Sequence, residues 1–255
     1  MKIWPLIVIT VLLLSTHLLA KEGRGDARER IEPHGYLYGL GVALNQEIYK
    51  GYDYRFIPLP IIGYRAENFR ILGPFVSYDA LQISDVEITL QAAPRFQGYD
   101  DSDSYIFENM DERNFSMDVG AGLTYERKNW KIGFSGMFDV LGRSKGYELK
   151  TNISKVFNTG PIFYEPRISV SYLDAKHVDY YYGVKTNEVN RHTFEYIGKA
   201  AINSTVSFSV STPILLGGFT MLAFDYTLFD SSITDSPIVG DSGSFSARLL
   251  FSKFF

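Results

Sequence analysis

Residues Asn114–Val140 read NFSMDVGAGLTYERKNWKIGFSGMFDV, and this stretch decides the fold. Phe115, Met117, Val119, Ala121, Leu123 and Tyr125 fall at alternate positions, with Ser116, Asp118, Gly120, Gly122, Thr124 and Glu126 between them. Successive side chains of a strand point to opposite faces, so this is a strand with one apolar and one polar face. Arg127, Lys128 and Asn129 turn the chain. On the return, Trp130, Ile132, Phe134, Phe138 and Val140 alternate with Lys131, Gly133, Ser135 and Asp139. Strands of soluble sandwiches run nearer five or six residues. A membrane-spanning strand needs roughly 9–11, apolar toward lipid and polar toward a lumen. The hairpin is therefore predicted to belong to a transmembrane antiparallel up-and-down β-barrel.

The totals agree. The chain has 255 residues, 45% of them hydrophobic, yet its mean hydropathy is only −0.06. Barrel strands dilute each apolar residue with a polar one, which hides them from a hydropathy sum. No cysteine is present, which excludes disulfides, thiolate metal sites and a lipidated cysteine. A net charge of −4, with no basic patch interleaved with aromatics, argues against nucleic acid.

Met1–Ala20 (MKIWPLIVITVLLLSTHLLA) has a positive start, an apolar run and a small-residue end, the pattern of a cleaved signal peptide. Residues 21–35 are charged and short of hydrophobes, a periplasmic lead-in. The barrel is expected over residues 36–255. Alternation places strands at Tyr36–Asn45, Phe56–Ala66, Phe69–Tyr78, Val86–Gln97, the hairpin above, Tyr147–Phe157, Ile162–Asp174, Tyr196–Ser211, Gly218–Phe229 and Phe245–Phe255. No helix is predicted between them. That makes eleven strands, and a barrel with both ends in the periplasm needs an even number. Twelve is the expectation and ten the fallback, with the discrepancy falling in Gly35–Asp85. Pro58 and Pro60 mark the second strand as distorted or at an edge. Connections from Gly98 onward alternate between short turns and long loops, the rhythm of an outer-membrane barrel.

The last strand sets Phe245, Ala247, Leu249, Phe251 and Phe255 at alternate positions. A terminal aromatic on such a strand resembles the signal read by the barrel-insertion machinery, with Lys253 standing where that pattern has an apolar residue.

Four stretches carry a wider resemblance: GLGVALNQEIYKGYDYRFIPLP (Gly39–Pro60), APRFQGYDDSDS (Ala93–Ser104), YEPRISVSYLDAKHVDYYYGV (Tyr164–Val184) and DSPIV (Asp235–Val239). In order and spacing they resemble the MipA/OmpV outer-membrane proteins, the family of the MltA-interacting protein. The resemblance implies a Gram-negative outer-membrane barrel that is not an enzyme. It implies contacts in the cell envelope, as a scaffold for murein-synthesising and murein-hydrolysing enzymes or in adhesion and stress response.

Candidate chemistry is sparse. His177 and His192 lie near Asp174, Asp179, Glu188 and Glu195, but no ligand spacing or nucleophile elbow accompanies them. No catalytic, cofactor or metal site is expected, and a barrel hydrolase is the least favoured class. The inward charges are Glu87, Arg95, Asp118, Glu126, Lys131, Asp139, Glu148, Lys150, Glu165, Arg167, Lys199, Asp225 and Arg248. One sign would suggest a selective channel for small solutes. The mixed signs suggest a lumen packed with paired side chains. Tyr180, Tyr181, Tyr182, Gly183 and Val184 form the candidate partner-contact loop. Tyr49, Tyr52, Tyr54, Tyr99 and Tyr105 are expected as interfacial anchors against outer-membrane lipid.

Overall fold

A computed structural model describes residues 34–255; the expected signal peptide and nearly all of the expected lead-in lie outside the described residues. The strands are β1 (Gly35–Gln46), β2 (Tyr54–Arg65), β3 (Phe69–Leu72), β4 (Phe75–Ile83), β5 (Val86–Arg95), β6 (Ser116–Arg127) and β7 (Trp130–Asp139). They continue as β8 (Tyr147–Lys155), β9 (Phe157–Thr159), β10 (Ile162–Leu173), β11 (Ala201–Thr212), β12 (Phe219–Leu228) and β13 (Gly243–Phe254). Each pairs antiparallel with its neighbours, and β13 closes on β1 from Leu37↔Phe254 to Asn45↔Ser246. β8 and β9 both pair with β10 and form one stave interrupted at Val156. The wall is thus a closed barrel of twelve strands.

The twelfth strand comes from splitting Phe69–Tyr78. The chain turns at Gly73, whose φ is +57°, and Pro74, so one expected strand is the hairpin β3–β4. β1 then starts at the same end as the short turns, where β13 finishes. The reason β3 is only four residues long lies in β2. The Ile62 carbonyl accepts from the Gly73 amide at 3.1 Å, so it faces β3. Pro60 and Pro58 share its parity, so their missing N–H groups face the same way. No ladder can climb past them. Above that point Arg55 bridges the gap instead: its guanidinium donates to the carbonyls of Phe96 (2.7 Å) and Gly98 and pairs with Glu47 at 2.9 Å.

The two faces separate as expected. Leu40, Phe134, Ile168, Val206 and Leu249 are exposed on the outer wall, while their strand neighbours turn inward. A twelve-residue strand at roughly 3.3 Å per residue, tilted near 45°, rises about 28 Å, enough for an apolar band of ~25 Å.

Two expectations are corrected. A helix, α1 (Ala175–Tyr182), follows β10 where a loop without helix is predicted. β11 starts at Ala201 rather than Tyr196, because Tyr196 is held by a bridge to Val184 instead of a strand ladder.

Candidate functional site

The loops at one end of the barrel fold into a cap. Asp174 starts it: its side chain accepts from the His177 amide at 3.1 Å and the Tyr147 amide at 2.9 Å, an N-cap that begins α1 directly above β10. His177, Val178, Tyr181 and Tyr182 then face inward on one side of the helix and are buried. They pack with Ile48 and Tyr49, with Tyr99, Ile106, Phe107 and Met110, and with Ile233, Ile238 and Val239. Four separate loops therefore share one apolar core, and each fully buried aliphatic or aromatic side chain in it contributes about 1.5–3 kcal/mol. The packing is close enough to demand glycine at Gly198, where a Cβ would sit 2.4 Å from the Asp179 nitrogen.

Polar contacts lock the cap. Glu188, 0% exposed, takes two parallel bonds from Arg113, Nη1 to Oε1 at 2.9 Å and Nη2 to Oε2 at 2.7 Å. Arg113 Nε reaches the Tyr180 carbonyl at 2.6 Å, and its guanidinium lies over the Tyr99 and Tyr180 rings, 5.7 Å from each centroid. Gln97 donates to the Tyr182 hydroxyl at 2.7 Å, Tyr49 to the Tyr181 carbonyl at 3.2 Å, and Ser236 to the Tyr182 carbonyl at 2.6 Å. Arg113 and its hydrogen bonds hold the Glu188 carboxyl down at about 2, against the cost of burial. Burial, with the Arg95 charge nearby, pushes the His177 imidazole well below its usual range, so it stays neutral.

Beneath the cap, Arg95, Asp118 and Glu148 meet from β5, β6 and β8. Arg95 Nε donates to Asp118 Oδ2 at 2.8 Å and its Nη2 to Glu148 Oε2 at 2.9 Å. All three are at most 3% exposed. The lower lumen is different. Arg167 pairs with Glu165 at 2.5 Å, Lys131 with Glu165 at 3.5 Å, and Arg248 with Asp225 at 2.5 Å. Ser135, Lys150, Arg167, Ser207 and Ser209 are only half-buried there. Glu87 sits at the turn end of β5 near Thr89, and Glu126 is the cross-strand neighbour of Lys131.

Several expected site residues sit elsewhere. Tyr181, Tyr182, Gly183 and Val184 are buried in the cap core and Tyr180 is half-buried, so this loop is not the exposed surface its composition suggests. Tyr49 and Tyr99 are core residues for the same reason, not interfacial anchors. Lys199 is exposed ahead of β11 and does not line the lumen. Asp139 organises the loop after β7, accepting from the amides of Leu141 (3.0 Å), Gly142 (3.1 Å), Ser144 (2.6 Å) and Lys145 (3.0 Å). His177 is buried while His192 is exposed against Tyr105, so the two histidines form no site together. No group of three or more potential metal ligands occurs among the described residues. At the C-terminus, Phe245, Leu249 and Phe255 face outward and exposed, and Phe251 is half-buried.

Sequence reasoning missed the Arg113–Glu188 latch, the Asp174 cap and the Arg55 bridge. Only Asp174 left a local signal, an aspartate just ahead of a helix-compatible run; the other two join residues 41 to 75 positions apart.

Residues 38–255 match the family model described as MltA-interacting protein MipA. The putative outer membrane protein YiaT of Escherichia coli K12 is 26% identical over 211 residues, covering 82% of this chain and 86% of that one. The MltA-interacting protein of the same strain is 25% identical over 209 residues, covering 80% and 84%. Among solved structures, the NanC porin aligns at 9% identity and a TM-score of 0.43, covering 85% of this chain and 99% of that one.

Proposed function

The chain belongs to the MltA-interacting protein MipA family and is an outer-membrane β-barrel, and from that premise we propose that it is a non-enzymatic contact protein of the cell envelope. The observation that carries this reading is the occupied lumen: loops from four connections pack into a cap above a buried Arg95–Asp118–Glu148 cluster. The wall faces lipid, so contact falls to the loops and turns. With long loops outside and short turns in the periplasm, two surfaces remain. Outside, the cap exposes Tyr105, Val189 and Phe194. In the periplasm, the turn after β11 exposes Ile214, Leu215 and Leu216, with Phe255 also exposed at that end. An Escherichia coli relative is named for interaction with MltA, which supports murein-remodelling enzymes as the partner class on the periplasmic side; an extracellular surface is the alternative on the other.

The competing reading is a narrow channel for small solutes. In planar bilayers the protein is expected to stay silent, and stable ion-selective steps would make it a pore. In-cell crosslinking from Leu216 and from Phe194 tests the contact. Murein-remodelling enzymes captured from Leu216 support the scaffold, and capture of nothing at either site defeats it.

The outward aromatics of β13 carry a separate expectation. Deleting Phe255 should slow insertion by the assembly machinery without altering the folded barrel. Pulse-chase appearance of the heat-modifiable form measures this, and an unchanged rate removes the insertion role.

A further inference from the structure

The lower lumen holds one cation more than the carboxylates beside it: Lys131, Lys150, Arg167 and Arg248 against Glu165, Asp225 and Glu126, which lies across from Lys131. A cavity of about 90 Å³ there is lined by Lys131, Lys150, Arg167 and Arg248 against Glu165 and Asp225. Both carboxylates are already engaged. Glu165 holds Arg167 and Lys131 and accepts from Ser154 at 2.8 Å; Asp225 holds Arg248 and accepts from Ser207 at 2.7 Å. Glu148 shares a face of β8 with Lys150, but Arg95 holds it at 2.9 Å in the upper cluster. Lys150 lies within electrostatic reach of Glu148 and Asp225 as well as of Arg167 and Arg248, but makes no ion pair with either carboxylate. Nε and Nη1 of Arg248 are buried without a hydrogen-bond partner in the protein.

Cations brought together in a partly dry lumen repel one another unless an anion lies between them. Spare guanidinium donors beside an ammonium are the groups that recognise carboxylate and phosphate oxygens. The rest of the lining is rich in serine hydroxyls and includes Asn152 and Gln91, neutral groups suited to hydroxyl-bearing solutes. The volume holds roughly six to nine waters at ~10–15 Å³ each, which limits the occupant to a small molecule. The cap closes the outer end, so entry is from the periplasm.

We propose that this chamber is a periplasm-facing binding site for a small oxyanion, a carboxylate- or phosphate-bearing solute, centred on Lys150 and Arg248. The site is a dead end rather than a pore, and it does not depend on the contact reading above.

The chain has no cysteine, so Ser209→Cys places a single thiol in the chamber. The folded protein in detergent is treated with a sulfonate-bearing or a trimethylammonium-bearing methanethiosulfonate, and the rate ratio is compared with that of a free thiol. The anionic reagent should gain about tenfold, the low end of what a charged cleft does to local counter-ion concentration. Adding Lys150→Met should remove most of that gain. Millimolar glucuronate or inorganic phosphate should protect the thiol, and glucose should not; protection by only one of the two anions identifies the carboxylate or the phosphate as the favoured group. Heat-modifiable migration confirms that each variant is folded, and Lys150→Gln replaces Lys150→Met if the latter is not. A rate ratio equal to that of the free thiol, a preference that survives loss of Lys150, or equal protection by glucose overturns the proposal.

Discussion

Replacing Glu188 with alanine is expected to raise amide exchange across residues 178–184 roughly 150- to 5,000-fold, while the barrel strands keep the protection of the parent. The variant leaves Arg113 buried at 4% exposure without its carboxylate. Removing one partner of a buried pair costs about 3–5 kcal/mol, and the cap is the unit that bears this cost. It is joined by Arg113 and Glu188 across 75 residues of sequence, whereas the barrel below has its own ladders. A second variant separates charge from connectivity. Arg113→Gln with Glu188→Gln keeps an acceptor for one of the Lys185 and Asp111 amides, which Glu188 now serves through Oε2 at 3.0 Å and Oε1 at 3.2 Å. It leaves no buried charge, so exchange should rise far less. Equal exchange in Glu188→Ala and the parent would mean the apolar core alone holds the cap.

The same latch has a pH dependence with a defined sign. The folded-state carboxyl of Glu188 sits at about 2, below its ordinary value near 4.5. A depressed carboxylate stabilises the folded state fully above its unfolded pKa, and that contribution is lost as pH falls through the folded one. The Glu188 contribution is therefore expected to hold from neutral pH down to about 4.5 and to be lost progressively toward pH 2, whereas the buried imidazole of His177 begins to weaken the cap as pH falls below about 6.5. Neutral His177 adds a second acid penalty, because protonation would place a charge in a buried site already close to Arg95.

The wall was legible in the sequence, and the cap was not. Phe115 to Val140 could be read because alternation is local: each residue's face follows from its neighbours. The same rule assigns Arg95, Asp118, Lys131, Glu165 and Arg248 to the inward face; the first three are buried and the last two half-buried. The misplaced twelfth strand had a different cause. Phe69–Tyr78 is mostly apolar and alternates poorly, so periodicity could not see the turn, and Gly73-Pro74 was the mark of it. The tyrosines of α1 were misjudged because burial inside a loop cluster depends on residues up to 187 positions away, as in the Lys50 contact to Pro237. The four stretches that carried the family resemblance each supply residues to the cap: Tyr49, Tyr99, Tyr182 and Ile238 all belong to its core. Cap packing gives those stretches a structural reason to resemble the matching stretches of the family.

Arg95→Met is expected to be the most damaging single change in the barrel interior, lowering stability by about 3–5 kcal/mol. Arg95 is the one cation bonded to both Asp118 and Glu148, and methionine would leave two carboxylates facing each other in a space that is at most 3% exposed. The temperature at which the heat-modifiable form is lost should fall accordingly. The triple variant Arg95→Met, Asp118→Asn, Glu148→Gln removes all three charges and should recover most of the loss, because a buried ion cluster and a neutral one of similar volume differ little in net stability. Bilayer recording then separates the two barriers. Glu188→Ala alone loosens the cap and leaves the triad spanning β5, β6 and β8, so it should remain silent. Glu188→Ala combined with small neutral replacements, Arg95→Ala, Asp118→Ala and Glu148→Ala, removes both obstacles and should produce current steps. Steps from Glu188→Ala alone would show that the triad is no barrier and that the cap by itself closes the barrel.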